Sequence, residues 1–450
     1  MVNIFLYLCR IMKKTSIILL ILAFALTPTG VSAQIYKSYE GLIMAGYQGW
    51  FHAPEPSDPS WMGFATKPGK TPKDGEARFD LWPYTAEFEK TYPTDYKFPD
   101  GTTAEFFSST DPGTIDTHFR WMQEYGLDGV FMQRFIASSE QMLTHTQRVF
   151  GLSLEAAKKY GRAICLMYDL TGAIHGEILT KLADDLKRHE ETYHLSDPEV
   201  CPTYLHHNGK PLVVIWGIGF PDKMGDGKSS RLYTYEDTDA IIDCVKSMGY
   251  SVMLGVPAYW RNFDGWDIVP KVASIQRDPV PYIRSHQDSI SKVRSALHSQ
   301  IAKADIIMPW YVGRYNNERY NHEFKQIVRD DIDWCSKHGI LYAADAFPGY
   351  SWENSTHYGD AIDRQHGEFY WNQLSFLVSA GAKAIYISMF DEINEGTAIF
   401  KITTEAPDGE KSKFVTVEEP DKYLRLTGEA ARMLRGETPL TFTMPAPTDK

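Results

Sequence analysis

Short apolar runs recur along the chain, each followed by a longer stretch in which apolar residues repeat at helical spacing. The runs predict strands over Gly41–Phe51, Asp128–Phe135, Arg162–Leu170, Pro211–Phe220, Ser251–Trp260, Ala304–Arg314, Ile340–Phe347 and Ala382–Phe390. Several are continuous rather than alternating, as expected of parallel strands covered on both faces. The intervening pattern predicts helices over Thr114–Tyr125, Glu140–Lys159, His175–Glu190, Glu236–Met248, Asp288–Lys303, Asn321–Lys337 and Gln365–Ser379. Gly126, Gly161, Gly249, Gly339 and Gly381 follow five of them, where a left-handed residue ends a helix. Strand–helix units repeated around the chain predict an α/β fold, a (β/α)8 TIM barrel. An open doubly wound sheet is the alternative. It is weakened because Gly46-Tyr47-Gln48-Gly49 after the first strand lacks dinucleotide-binding glycine spacing, and no cofactor is expected.

Residues 52–110 break the rhythm. They are rich in Pro, Gly, Trp and Asp and are too long for a bare loop, so they read as an insertion after the first strand, placed to roof the site. Residues 34–436 are read as a single domain closed by a helix over Lys422–Arg435, and 437–450 as a poorly ordered tail. Residues 1–33 read as a signal peptide: Lys13 and Lys14, an apolar run Ile17–Leu26, then Val31-Ser32-Ala33 as a small-x-small cleavage site. The run is too short to span a bilayer comfortably, so no stable membrane insertion is expected, and the protein is expected in the periplasm or secreted. Export permits disulfides, but a domain of this size does not need them, and Cys165, Cys201, Cys244 and Cys335 are expected to be mostly buried thiols.

The formal charge is -12, and the leader removes only basic residues, which leaves the remainder more acidic still. A nucleic-acid partner is therefore not expected, since a phosphate backbone calls for a cationic face. Aromatics make up 13% of the chain, with 11 Trp and 26 Tyr. That load implies a large aromatic core, rings that cover sugar faces, or both. No Asp-x-Asp-x-Asp loop or zinc-like Cys/His spacing is present, so no metal is expected. His206-His207 reads as a solvated loop, and Asp330, Asp331 and Asp333 as one exposed helix face. A monomer is expected.

In such barrels the strand C-termini converge on one mouth. The residues placed there are Tyr47, Trp50 and His52 from the first strand, Arg134 from the second, and Asp169 from the third. Trp216 comes from the fourth, Trp260 and Arg261 from the fifth, and Trp310 and Tyr311 from the sixth. Asp345 and Trp352 follow the seventh, and Asp391, Glu392 and Glu395 the eighth. A cup of aromatics around carboxylates fits an oligosaccharide or polysaccharide, whose cleavage needs a proton donor at the leaving oxygen and a second group at the anomeric carbon. Two glutamates three residues apart do not readily face each other through a sugar ring. Either both act near one edge of it, or one works with Asp169 or Asp345 across the mouth.

The segment Ile387-Ser388-Met389-Phe390-Asp391-Glu392-Ile393-Asn394-Glu395-Gly396-Thr397 resembles the signature of the endo-α-mannosidase and α-1,3-glucanase-like glycoside hydrolases (families 99 and 71). In these families an eighth strand ends in Asn-Glu-Trp-x-Glu-Gly-Thr. The likeness extends to Gly46-Tyr47-Gln48-Gly49-Trp50-Phe51 and to Gly129–Phe135, while Asp391 stands where the families have Asn and Ile393 where they have Trp. The resemblance implies retention through the sugar's own 2-hydroxyl and a 1,2-anhydro intermediate. The residue matching Glu392 assists deprotonation of that hydroxyl, and the residue matching Glu395 is general acid and then base. With the wall changed at two positions, the sugar is not carried over. The expected activity is thus an exported glycoside hydrolase on an α-linked glycan. The alternatives are a catalytically inactive carbohydrate-binding barrel and, less compatible with so few strand-end histidines, a metal-dependent hydrolase.

Overall fold

Eight parallel strands among the described residues close into a barrel: β1 Ile43–Tyr47, β2 Gly129–Phe135, β3 Ala163–Asp169, β4 Lys210–Trp216, β5 Ser251–Pro257, β6 Ile306–Trp310, β7 Leu341–Ala346 and β8 Ala384–Ile387. Each pairs with the next, and β8 returns to β1 through Ala45 opposite Ile387. The computed structural model describes residues 36–56, 58–64, 71–220, 232–261, 280–356, 361–407 and 409–446. The leader expected over residues 1–33 lies outside them. Helices follow the strands in turn: α1 Pro112–Tyr125, α2 Glu140–Tyr160, α3 Ile178–Tyr193, α4 Tyr235–Ser247, α5 Gln287–Ile301, α6 Lys325–Lys337, α7 Glu368–Ser379 and α8 Lys422–Leu434. Gly126 and Gly161 cap α1 and α2 with φ of 80° and 59°, in the left-handed region that a β-carbon disfavours. This is the (β/α)8 barrel that the hydrophobic pattern predicts. Apart from β2, which ends at Phe135 as expected, each strand stops short of its predicted end, because the polar and aromatic residues that continue the runs belong to the mouth loops.

The strand pleat sends alternate side chains to the axis and to the helix layer. The axial set is a buried cluster that includes Met44, Phe131, Cys165, Met167, Val214, Met253, Met308, Tyr386 and Met389. Flexible thioethers fill the taper between fixed rings. Tyr36 and Tyr39 join the cluster from the segment preceding β1, and the Tyr39 hydroxyl donates to the Ile385 carbonyl at 2.8 Å. Gly46 makes room for this packing: a β-carbon there would overlap the Tyr386 hydroxyl and the Met389 sulfur.

The long insertion has a core of its own. It contains a hairpin of Tyr92–Lys97 with Thr103–Phe106, and Phe106 stacks between Phe64 and Trp82 with ring centroids 4.3 Å from each. Leu81 bridges Val415 and Pro83 bridges Ile402, so the insertion packs with the segment that follows β8. Much of the aromatic load is spent here. Among the described residues, the insertion meets the β7 and β8 loops through Asp80 and the Gly63 and Arg78 carbonyls, and α2 through Glu55 and Asp58.

Two local expectations are corrected. His206-His207 is a buried two-residue strand paired with Lys210 and Pro211. Asp331 is buried, because its carboxylate accepts from Trp260 and Arg261. The four cysteines among the described residues, Cys165, Cys201, Cys244 and Cys335, are unpaired, and all but Cys244 are buried. Residues 437–446, expected to be poorly ordered, run back toward α8, where Arg425 donates to the Ala446 carbonyl at 3.2 Å. No helix among the described residues is long and apolar enough to cross a membrane.

The axial packing is directly testable. Gly46→Ala is expected to lower unfolding stability by about 1–3 kcal/mol, the usual penalty for overfilling a packed core. Chemical denaturation measures it, and an unchanged midpoint would contradict the inward orientation of Tyr386.

Candidate active site

Strand parity sorts the residues expected at the mouth. Inward positions continue the axial set: Gln133 and Phe135 on β2, Asp169 on β3, Trp216 on β4, Trp310 on β6 and Asp345 on β7. Register places Phe135 beside Asp169 and Asp169 beside Trp216. Trp216 and Trp310 meet edge to face at 5.7 Å. Gly255 lies beside Trp216, and a β-carbon there would collide with its indole. Trp50, in the β1 loop, stacks on Phe135 with centroids 5.4 Å apart. Trp352 is 41% exposed in the β7 loop, next to Ser351, whose N–H donates to the Glu395 carbonyl at 2.9 Å.

Six expected residues point elsewhere. Tyr47 faces α1, and its hydroxyl lies 2.8 Å from His118 Nδ1. Arg134 faces α3, and its guanidinium donates to both oxygens of Asp185 at 2.6 and 2.7 Å. Trp260 and Arg261 donate to Asp331 of α6, and the Tyr311 hydroxyl meets Tyr342 at 3.0 Å. Each satisfies a polar group in the helix layer, where an unpartnered one would be unfavourable. His52 is buried in the insertion, edge to face with His145, with Nε2 3.3 Å from the Asp58 carbonyl. Phe135, Gln133 and Gln48 also reach this face, although the strand-end reading gives none of them a role in binding. Counting by twos from Phe131 along β2 would have found the first two.

The β8 loop carries the acids, and hydrogen bonds wind it tightly. Asp391 accepts from the N–H groups of Gln48 and Gly49 at 2.7 and 2.8 Å, which clamps the β1 loop to the β8 loop. Glu392 Oε1 accepts from the N–H groups of Asn394 and Glu395 at 2.7 and 3.3 Å, so its carboxyl folds over the turn that carries Glu395. The Asn394 amide donates to the carbonyls of Gly63 and Arg78 in the insertion, both at 2.7 Å. Asp80 donates its N–H to the Ile393 carbonyl at 2.9 Å while its carboxylate caps Glu353 and Asn354. Arg364 donates to the carbonyls of Gly396 and Ala398 at 2.9 and 2.8 Å. Ile393 is fully buried in the large core and does not face the mouth. Asp345 sits deeper, accepting from Tyr311 N–H and Ser388 hydroxyl, both at 2.7 Å. Asp345 and Asp391 are thus inward but occupied in holding the scaffold.

The electrostatics follow from burial. Among the described residues no lysine or arginine pairs with Asp345, Asp391, Glu392 or Glu395. Burial lifts Asp391 to about 6 and Asp345 to about 7. Burial first, then the charges of Glu395 and Asp391, raises Glu392 well above the carboxylate range. Burial first, then the charge of Asp169, lifts Glu395 to about 7. Like charges this close cannot all ionise, so the two glutamates titrate as a pair that retains a proton near neutrality. This supplies a proton donor and an acceptor on one turn. No three His, Cys, Asp or Glu side chains among the described residues converge as metal ligands.

No family model and no curated protein matches the chain. Its fold is similar to two solved structures of the GH99 endo-α-mannosidase from Bacteroides thetaiotaomicron, one of them in complex with Bis-Tris propane. The TM-scores are 0.58 and 0.57, each with 15% identity over 88% of this chain and 98% of that one. The likeness therefore extends through the whole barrel.

A carboxyl whose folded pKa exceeds its unfolded one opposes folding once the unfolded chain has lost the proton. Stability from Glu395 is therefore expected to fall as pH rises from near 4.5 through about 7. Glu395→Gln is expected to match the wild type at pH 4 and to exceed it by ~1–3 kcal/mol at pH 8, at about 1.4 kcal/mol per unit of pKa. Urea unfolding at both pH values measures this, and a difference independent of pH would refute it.

Proposed function

We propose that the protein is an exported glycoside hydrolase that cleaves an α-linked glycan at the barrel mouth, with Glu392 and Glu395 as its catalytic carboxyls. The observation that carries this reading is the pair itself: two glutamates on one turn, Glu392 buried and Glu395 half-buried, without a cationic partner among the described residues, beside Asp169 and an aromatic wall. The barrel shared with a glycoside hydrolase supports it, as does the resemblance of the β8 loop, and the leader-like residues 1–33 support export.

The arrangement suits participation by the sugar. A substrate 2-hydroxyl donating to Glu392 favours the ionised form of that carboxyl, which leaves the shared proton on Glu395. Glu392 then takes the hydroxyl proton as the oxygen attacks the anomeric carbon. The glycosidic C–O bond breaks, and Glu395 protonates the departing oxygen. In the second half, Glu395 takes a proton from water, the water oxygen attacks the anomeric carbon, and the opened 2-oxygen recovers its proton from Glu392. The configuration is retained after two inversions. Trp216, Trp310 and Trp352 offer rings to apolar sugar faces, and negative charge on Asp169 raises the pKa of Glu395, which favours its role as the acid.

The test is reducing-end release from a panel of neutral α-linked oligosaccharides. Glu392→Gln and Glu395→Gln are each expected to lower kcat ~10²-fold or more, the scale of positioned acid–base groups. Asp169→Asn removes a negative neighbour and lowers the Glu395 pKa, so the basic limb of the pH–rate profile is expected to move to lower pH. Cleavage that neither glutamate substitution slows would overturn the assignment.

A further inference from the structure

One residue of the insertion ties the β7 loop to the β8 loop. Asp80 is 1% exposed, and both its backbone and its carboxylate are engaged. Its N–H donates to the Ile393 carbonyl in the acid turn at 2.9 Å. Its Oδ2 accepts from the Ser351 hydroxyl and, at 2.7 Å, from the Glu353 N–H. Its Oδ1 accepts from the Asn354 N–H at 3.0 Å. Trp352 is bracketed by these bonds: Ser351 precedes it, and Glu353 and Asn354 follow.

The Ser351 N–H donates in turn to the Glu395 carbonyl at 2.9 Å. Insertion, β7 loop and acid turn thus form a closed triangle of hydrogen bonds with Asp80 at one corner. The two loops also touch closely. Gly396 has a φ of 64°, and a β-carbon there would lie 2.9 Å from the Ser351 nitrogen and 3.0 Å from its Cβ. The turn packs against Ser351 because residue 396 is a glycine. A second strap holds the far side of Trp352. The Asn354 amide donates to the Phe79 and Lys413 carbonyls at 2.9 and 2.6 Å and accepts from the Lys413 N–H at 2.9 Å.

These bonds call for a carboxylate at position 80. An ionised carboxylate only accepts, and each of the three groups bound to it here donates. Such charge-assisted bonds are stronger than neutral ones. An amide of the same shape would turn an N–H toward one of these donors. The acid turn itself does not depend on the Asp80 side chain. Its bond to Asp80 runs through the backbone N–H, and Asp391, Asn394 and Arg364 hold the turn independently. The carboxylate therefore acts on the β7 side of the joint.

We propose that Asp80 is a positioning residue: its carboxylate sets where the Trp352 ring stands relative to Glu395, and so where a sugar resting on that ring meets the acid. The inference rests on the glycosidase reading for its substrate, and on hydrogen bonding alone for the joint.

The first measurement needs no substrate. Amide hydrogen exchange of the full chain is followed on peptides covering residues 349–356. Asp80→Asn is expected to speed exchange there about tenfold or more, the scale of a lost charge-assisted hydrogen bond, and to leave the barrel strands unchanged. The second is a double-mutant cycle of Asp80→Asn with Trp352→Ala, assayed on the α-linked gluco- or manno-oligosaccharide that the wild type cleaves fastest. Asp80→Asn alone is expected to raise KM about fivefold or more with kcat held within about threefold, and to change KM less than about twofold once Trp352 is gone. A loss of folded protein would instead lower the apparent kcat and leave KM alone. If Asp80→Asn lowers the yield of folded protein, Ser351→Ala, which removes one of the three bonds, gives the same pattern at smaller size. Unchanged exchange at the β7 loop, or additive effects of the two substitutions on KM, overturns this role. Cleavage that depends on Glu395 under either of those results would leave the catalytic assignment standing. Faster exchange at the β7 loop, with no glycan cleaved by the wild type, would keep the joint and remove the catalytic assignment.

Discussion

A strand in a closed barrel can show only every second side chain to the axis, and the site depends on that constraint. Asp169, Trp216, Trp310 and Gln133 reach the mouth because they share parity with the Met- and Phe-filled interior below them. Their immediate neighbours Tyr168, Arg134 and Tyr311 face outward, where they meet Asp185 and Asp331 on the helices. The same alternation explains how an acidic mouth coexists with a buried arginine, Arg134, one residue from the inward Gln133. The guanidinium of Arg134 is neutralised in the helix layer, so it does not lower the pKa of the acids at the centre.

What parity does for the strands, hydrogen bonding does for the β8 loop. Four links tie it to distant parts of the chain: its own Asp391 clamps the β1 loop, its own Asn394 reaches carbonyls of the insertion, and Asp80 of the insertion and Arg364 from the segment before α7 hold its backbone. A loop held in this way keeps two like-charged carboxyls close without relaxing, which is the preorganisation that acid–base work at a sugar requires. It also gives the insertion a purpose that its aromatic composition does not announce. The stacked rings of Phe64, Trp82 and Phe106 stiffen the platform from which Asp80 and the Gly63 and Arg78 carbonyls reach the acid turn.

The barrel was legible in the sequence because strands covered on both faces write continuous apolar runs, and helix ends write glycines. The acid turn was legible because three acids in five residues at a strand end are hard to place elsewhere. The facing of individual residues was not, since nearness to a strand end is a one-dimensional property and orientation alternates residue by residue. Nor could spacing reveal the partners that claim Arg134 and Trp260, which lie 51 and 71 positions away along the chain. The buttressing role of the insertion was hidden for the same reason, as the Asn394 contacts span more than 300 residues.

The central claim is that a carboxyl on the β8 turn keeps its proton near neutral pH because it is buried among like charges. Infrared difference titration of the protonated carboxyl stretch, comparing the wild type with Glu395→Gln, observes this group without any substrate. The account predicts a band that titrates near pH 7 in the wild type and is lost in the variant. A spectrum in which no carboxyl absent from Glu395→Gln titrates above pH 5 would contradict it.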